Sequence, residues 1–555
     1  MDGTGVAPFE ADIGIAGNRI IEVGRITRNG ADEIDARGLI VTPGFVDPHT
    51  HYDAQVMWAN HITPSSCNGV TTALIGNCGV GFAPCKPHQR EMLVELMEGV
   101  EDIPEPVLTE GLPWNWQSFP DYLDRIAARR FDVDVAAQVP HAALRVFVMG
   151  ERGVAREPAT EADRLEMARL AAEGIRAGAL GFSTSRTLNH KTVDGRPTPT
   201  LDASEEELTT IATAIGQAGA GWLQVISDFG EALESEFAML RRLVEKSDRP
   251  MTTTILERDS KPQEWRRLLE LIGGANADGL PMTGMVLTRP TGIMLGFEIS
   301  QNPFVDLPSW AKIAALPFEA KLTALRDPSF RAQLLSETSH DQALSKRLHR
   351  WDRIFPLGDP PDYEPTAERS IGAEARRAGL DPAALAYDRM LENDGRTILY
   401  RPLSNYAHGT LETVREMMAH PNTLIGLGDG GAHVSILCDA TAMTYALTHW
   451  TRDRPSGRFP LEWMVRRLTS DNARALGLND RGVIAPGRKA DINVIDHGKL
   501  TLHAPRVVYD LPAGGRRLMQ EADGYVATIL SGEIVSRGGS PTGALPGRLQ
   551  RGAKS

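Results

Sequence analysis

Apolar runs of seven to eleven residues recur along this chain, and several of the stretches between them repeat their apolar positions every three or four residues. The runs are "GLIVTPGFVD" (38–47), "GVTTALIGN" (69–77), "FDVDVAAQVPH" (131–141), "GALGFSTS" (178–185), "GWLQVIS" (221–227), "PMTTTILE" (250–257), "MTGMVLTR" (282–289) and "NTLIGLGD" (422–429). Runs this short, bounded by Gly, Pro, Asn and Asp, read as buried strands. "TEADRLEMARLAAEGIRAG" (160–178) and "SEEELTTIATAIGQAG" (204–219) read as amphipathic helices, each opening on a Ser/Thr-x-x-acid capping signal. Eight alternations of strand and helix predict an α/β fold, a (β/α)8 TIM-like barrel.

The barrel is expected over 44–480, with 290–421 a largely helical insertion near its mouth, because that stretch is too long for one crossover. Residues 1–43 and 481–540 are short β-like runs with turn signals, and they are expected to pack together as a small β-sandwich built from both chain ends. Residues 541–555 read as a mobile tail.

The bulk properties remove some partners. The hydrophobic fraction of 42% and charged fraction of 24% are those of a soluble globular protein. A net charge of −13 argues against nucleic acid or an anionic membrane as the main partner and says little about a small-molecule substrate, which answers to the local field of its pocket. No apolar run nears membrane-spanning length and no signal peptide is evident, so the expected compartment is the cytoplasm. The four cysteines, Cys67, Cys78, Cys85 and Cys438, are then thiols or ligands.

Parallel barrels carry their chemistry at the C-terminal ends of the strands. Those ends hold His49 and His51, Cys78, His141, Ser227 with Asp228, Glu257, and Asp429. His49 and His51 alternate along the chain onto one side; they can grip an ion together or be two polar residues at a strand end. Two histidines, a cysteine and an aspartate on one rim fit a borderline-soft divalent ion, with zinc foremost. Such an ion lowers the pKa of bound water and polarises a carbonyl, and a carboxylate beside it can pass a proton to a leaving amine. That chemistry is hydrolysis of an amide or related bond.

The order "PGFVDPHTHYD", barrel, "GLGDGGAH", "GVIAPGRKADINVID" and "DLPAGGRRLMQEADGYVATILSGEIV" resembles the amidohydrolase superfamily, and within it the N-acyl-D-amino-acid deacylase (D-aminoacylase) family. The cysteine of "TTALIGNCGVGFAP" is the sharpest sign, since that family has a bridging Cys ligand there; "PHAALRVFVMG" and "GALGFSTS" also match. The resemblance implies that His49, His51, Cys78 and Asp429 bind metal and that Asp429 is the general base of a zinc hydrolase.

Three departures qualify this. The family has metal-binding histidines after strands 5 and 6, where this chain reads "LQVISDFGE" and "TTTILERDSK". Its strand 8 signature is Ser-Asp-Gly, whereas Gly428 precedes Asp429 here. It also has a further strand ahead of Asp2, so this start is internal to a longer frame or the sandwich is one strand short. One tightly held ion is therefore expected, a second remaining in doubt, with Asp228 and Glu257 as possible substitute ligands.

His190, in the loop after strand 4, and Arg289 are candidate substrate-binding residues; Arg186, Arg258 and Lys261 are further candidates for a carboxylate clamp. His141 reads equally as a packing or orienting residue or as a catalytic one, His433 as an orienting residue, and His61, His420 and His449 as surface or core. The leading function is deacylation of an N-acyl amino acid, D-configured by the resemblance. The alternatives are an amidohydrolase acting on a cyclic amide, carbamate or other non-peptide amide, and an inactive binding or scaffold relative.

Overall fold

The computed structural model describes residues 1–339 and 341–552. All eight predicted barrel strands form: β1 (Phe45–Asp47), β2 (Val70–Ile75), β3 (Asp134–Pro140), β4 (Gly181–Arg186), β5 (Trp222–Ser227), β6 (Met251–Thr254), β7 (Met282–Val286) and β8 (Thr423–Ile425). They make one parallel sheet in chain order. The sheet curls until its first and last strands meet. There the Asn472 amide donates to Val46 O at 2.9 Å and Ile425 O at 2.8 Å. Above them the Asp429 N–H donates to His49 O at 3.0 Å, and the His51 N–H to Gly430 O at 2.7 Å.

The first apolar run serves two sheets. Ile40–Pro43 pairs antiparallel with Ile492–Ile495, and the chain then crosses at Gly44 into β1. A Cβ on Gly44 would lie 2.2 Å from Thr71 Oγ1, so only glycine passes there. Ile492–Ile495 also pairs with Tyr525–Leu530, so both chain ends share a five-stranded sheet. Ile20, Ile484, Ile492 and Ile529 form its apolar core. "GRKAD" (487–491) ties this unit to the barrel: Lys489 and Arg481 pair with the buried Asp134 at the start of β3, and Lys489 with Asp491 at 3.1 Å.

The insertion is helical over much of its length but also holds an antiparallel three-stranded sheet, Gly292–Leu295, Phe355–Pro356 and Leu399–Pro402, which periodicity did not reveal. Phe297, Phe304, Trp310 and Tyr387 pack together in its own core. It sits at the C-terminal ends of the strands, with the Met294 N–H bonded to Ile436 O beyond β8 and the Asn405 N–H to Glu257 O beyond β6.

The tail departs from expectation. Gly547 and Gln550 hydrogen-bond to the backbone of Phe131 and Val135, and the Gly552 N–H to Gly178 O, so the chain is pinned beside β3 as far as Gly552. Its glycines let it approach: a Cβ on Gly547 would lie 2.1 Å from Val133 O. Residues 553–555 lie outside the described residues. No helix among the described residues is long and apolar enough to cross a membrane.

Candidate active site

β1 ends on Asp47, which accepts the His49 N–H at 3.1 Å and fixes the turn that lifts both histidines over the rim. His49 and His51 are 1% and 3% exposed. Their side chains meet Cys78, and the His49, His51 and Cys78 ligand atoms all lie within 4.8 Å of one another. Cys78 Sγ stands 3.2 Å from His49 Nε2. Asp429 Oδ1 arrives from the end of β8, 3.3 Å from His49 Nε2 and 3.8 Å from His51 Nε2. The four donors the sequence placed on one rim therefore converge.

Cys78 is held by side chains from across the barrel. The Cys78 N–H donates to Gln224 Oε1 on β5 at 2.9 Å, and the Gly79 N–H to Ser183 Oγ on β4 at 2.9 Å. Asn77 donates to Thr50 O and Leu74 O and accepts from Gln138 of β3. Asp53 accepts the Gly76 N–H at 3.1 Å. This explains the glutamines and serine buried inside the barrel, whose part in the site carried no local motif. The turn needs its glycines, since a Cβ on Gly76 would lie 2.3 Å from Gln138 O. Cys78, Leu427, Asp429 and His433 all have φ between +43° and +59°, a backbone region that costs about 1–3 kcal/mol per residue and persists where the surroundings impose it.

The departure at strand 8 has a steric cause. A Cβ on residue 428 would lie 1.9 Å from Asp47 Oδ2, so with Asp47 placed as it is the position admits only glycine.

The electrostatics of the centre are unbalanced. Burial lowers His49 to about 3, with His190 adding to the effect, and drives His51 well below its ordinary value, helped by His49, His433 and His190. Burial, then the Asp429, Glu101 and Asp53 carboxylates, push the Cys78 thiol far up. Asp429 is raised well above the carboxylate range by burial, then Asp439 and Asp47. Asp429 Oδ1, Asp47 Oδ2 and Glu101 Oε2 are buried with no hydrogen-bond partner. Neutral imidazoles among crowded acids and a thiol fit a divalent cation, which would compensate the charge that burial otherwise suppresses.

The other sequence candidates divide. His190 lies in the loop after β4 with Nδ1 bonded to Ser185 Oγ at 2.8 Å, and it is electrostatically coupled to His49, His51 and His433. Asp228 uses both oxygens to hold a loop. It accepts from Thr187 Oγ1 at 2.6 Å and the Leu188 N–H at 2.7 Å, and so anchors the loop that carries His190. Glu257 accepts from Thr413 Oγ1 and the Ala407 N–H, both at 2.9 Å, and so braces the insertion. Arg289 is fully buried, paired with Asp439 at 2.9 Å and stacked 4.0 Å over the Tyr363 ring.

Arg186, Arg258 and Lys261 pair with Glu236, Glu264 and Glu231. His141 has both nitrogens bonded, Nδ1 to Thr184 Oγ1 at 2.9 Å and Nε2 to Glu207 Oε1 at 2.8 Å. Glu207 thus leaves its expected capping role, although Ser204 still accepts the Glu207 N–H. His61 pairs with Asp132, His449 pairs with Glu364, and His420 accepts the Asn422 N–H.

The sequence pattern of the amidohydrolase family matches residues 32–536. The chain belongs to that family, whose members are metal-dependent hydrolases of carbon–nitrogen bonds. It is 28% identical to a D-aminoacylase of Alcaligenes xylosoxydans xylosoxydans, over 89% of this chain and 86% of that protein. It is 27% identical to an uncharacterised protein of Mycobacterium tuberculosis, over 97% of this chain and 90% of that one. Among solved structures, an N-acyl-D-glutamate deacylase from Bordetella bronchiseptica, complexed with zinc and a phosphonate inhibitor, superposes with a TM-score of 0.66 at 22% identity, covering 99% of this chain and 97% of that one. That likeness bears on the fold alone.

Proposed function

We propose that this chain removes the acyl group from an N-acyl amino acid of D configuration, using one zinc ion held by His49, His51, Cys78 and Asp429. The observation that carries the reading is the convergence of three soft or borderline donor atoms within 4.8 Å, with the Asp429 carboxylate 3.3 Å from the His49 nitrogen. When bound, the ion supplies Lewis acidity toward an amide carbonyl and toward water. Asp429 takes the proton of the attacking water and returns it to the leaving amine. His190, braced by Ser185 and Asp228, contacts the substrate from the β4 side.

One ion is favoured over two. The ends of β5 and β6 carry no histidine, and the carboxylates there are already engaged. Among the described residues, His49, His51 and Cys78 form the one group of three such donors within metal reach. The D configuration and the linear amide are supported by D-aminoacylase and N-acyl-D-aspartate deacylase, both relatives at 27–28% identity. The test is a hydrolysis panel of N-acyl-D-amino acids, their L enantiomers and cyclic amides, with metal content measured on the same batch. Turnover confined to the N-acyl-D-amino acids supports the reading. Turnover of cyclic amides in their place overturns it.

A further inference from the structure

The helix Arg90–Glu101, between β2 and β3, ends on a carboxylate that the fold places at a disadvantage. Glu101 is 1% exposed and occupies the C-terminal end of its helix, where the backbone dipole disfavours negative charge. The buried acids Asp429 and Asp53 lie within its electrostatic reach. A leucine or glutamine would fill the space at lower cost if packing were the only need. Its side chain makes one close polar approach: Oε1 lies 3.1 Å from His51 Nδ1, in contact but off the axis of a hydrogen bond, and Oε2 has no partner.

The two nitrogens of His51 thus face two carboxylates. Nε2 looks toward Asp429 Oδ1 at 3.8 Å, the side on which His49 and Cys78 converge, and Nδ1 looks toward Glu101. The position of Glu101 does not depend on its own side chain. Its carbonyl accepts the Val434 N–H at 3.3 Å, and the neighbouring Asp102 accepts from Ser300 Oγ at 3.0 Å and the Ser435 N–H at 3.1 Å. These bonds fasten the helix end to the segment that follows Asp429.

We infer that Glu101 is a positioning residue for the metal ligand His51: it holds the proton on Nδ1, leaves Nε2 as the donor atom, and fixes the ring toward the ion. The inference rests on the proposed ion site. A carboxylate behind a metal-bound imidazole fixes its tautomer and raises its basicity, and its loss typically weakens metal binding or activity by about 10–100-fold.

The test uses the full chain with Glu101→Gln and Glu101→Asp. Zinc dissociation constants are measured by competition with a chromophoric chelator, and the visible spectrum is recorded after cobalt substitution. Glu101→Gln should weaken zinc by about 10–100-fold, keep the thiolate-to-cobalt band of Cys78, and melt within a few degrees of wild type without metal. Glu101→Asp, which keeps the charge on a shorter arm, should recover part of the loss and serves if the glutamine variant does not fold. Zinc affinity in Glu101→Gln equal to wild type overturns the inference. So does a cobalt spectrum that has lost a ligand, which would make Glu101 a direct ligand. If wild type itself binds no ion at the His49 and His51 site, the function proposed above has failed. If it binds one ion and Glu101→Gln matches it, this inference alone has failed.

Discussion

Asp429→Asn separates the chemistry of the site from its folding. Asp429 Oδ1 is buried without a hydrogen bond, and its near contacts are the two imidazole nitrogens at 3.3 and 3.8 Å. Burial, then Asp439 and Asp47, hold the carboxyl well above its ordinary range. Asparagine is neutral and nearly isosteric. Burial keeps the facing His49 and His51 imidazoles uncharged, so the substitution in metal-free protein removes no ion pair and at most one weak polar contact, about 1 kcal/mol or less, or a melting shift of about 2 °C. Turnover is a different matter. Asparagine cannot take a proton from water, and loss of an acid/base group lowers kcat by about a hundredfold or more, some 2.7 kcal/mol of barrier. Thermal melts followed by circular dichroism and kcat on the substrate found by the panel read the two effects separately. Wild-type turnover would remove Asp429 as the base, and a large melting shift in metal-free protein would show that its carboxyl stabilises the fold beyond the two imidazole contacts.

His49→Ala should lose bound metal and activity together, because two imidazoles on one strand end act as a unit; metal analysis of the dialysed variant checks this, and retained metal with lost activity would contradict it. Gly428→Ser places a Cβ 1.9 Å from Asp47 Oδ2 and should destabilise by about 1–3 kcal/mol, read as a lower urea midpoint. An unchanged midpoint would show that Asp47 moves freely. Burial works to raise the Glu364 carboxyl, but hydrogen bonds from His449, Arg454 and the Leu411 N–H outweigh it and hold the group well below its ordinary range. Its stabilisation is thus complete above the unfolded carboxylate pKa of about 4.3 and lost as the pH falls below it. The urea midpoints of wild type and Glu364→Gln should differ at pH 6 and converge toward pH 3, whereas a constant gap would contradict the assignment.

Much of the fold was legible because strands buried on both faces read as short apolar runs, and all eight were found. Their periodicity could not show that one run divides between two sheets at Gly44, since the crossing is set by Thr71 of a neighbouring strand. The insertion's strands are two to four residues long, too short to carry a period. In the site, His49, His51, Cys78 and Asp429 were visible because each ends a strand or follows one directly. Glu101 was not, because it closes an ordinary amphipathic helix and gains its role only from the tertiary approach to His51. Asp228 and Glu257 occupied the expected strand ends, but their oxygens went to loop backbone and threonine hydroxyls, a choice that sequence position does not reveal.

The central claim is that one ion, held by His49, His51, Cys78 and Asp429, makes this chain a hydrolase. Zinc titration of chelator-stripped enzyme, with activity and bound metal recorded at each addition, tests it most directly. Activity should rise from near zero in proportion to bound zinc and reach its plateau at one equivalent per chain. Full activity before any zinc is added, or a plateau that requires two tightly bound equivalents, would contradict it.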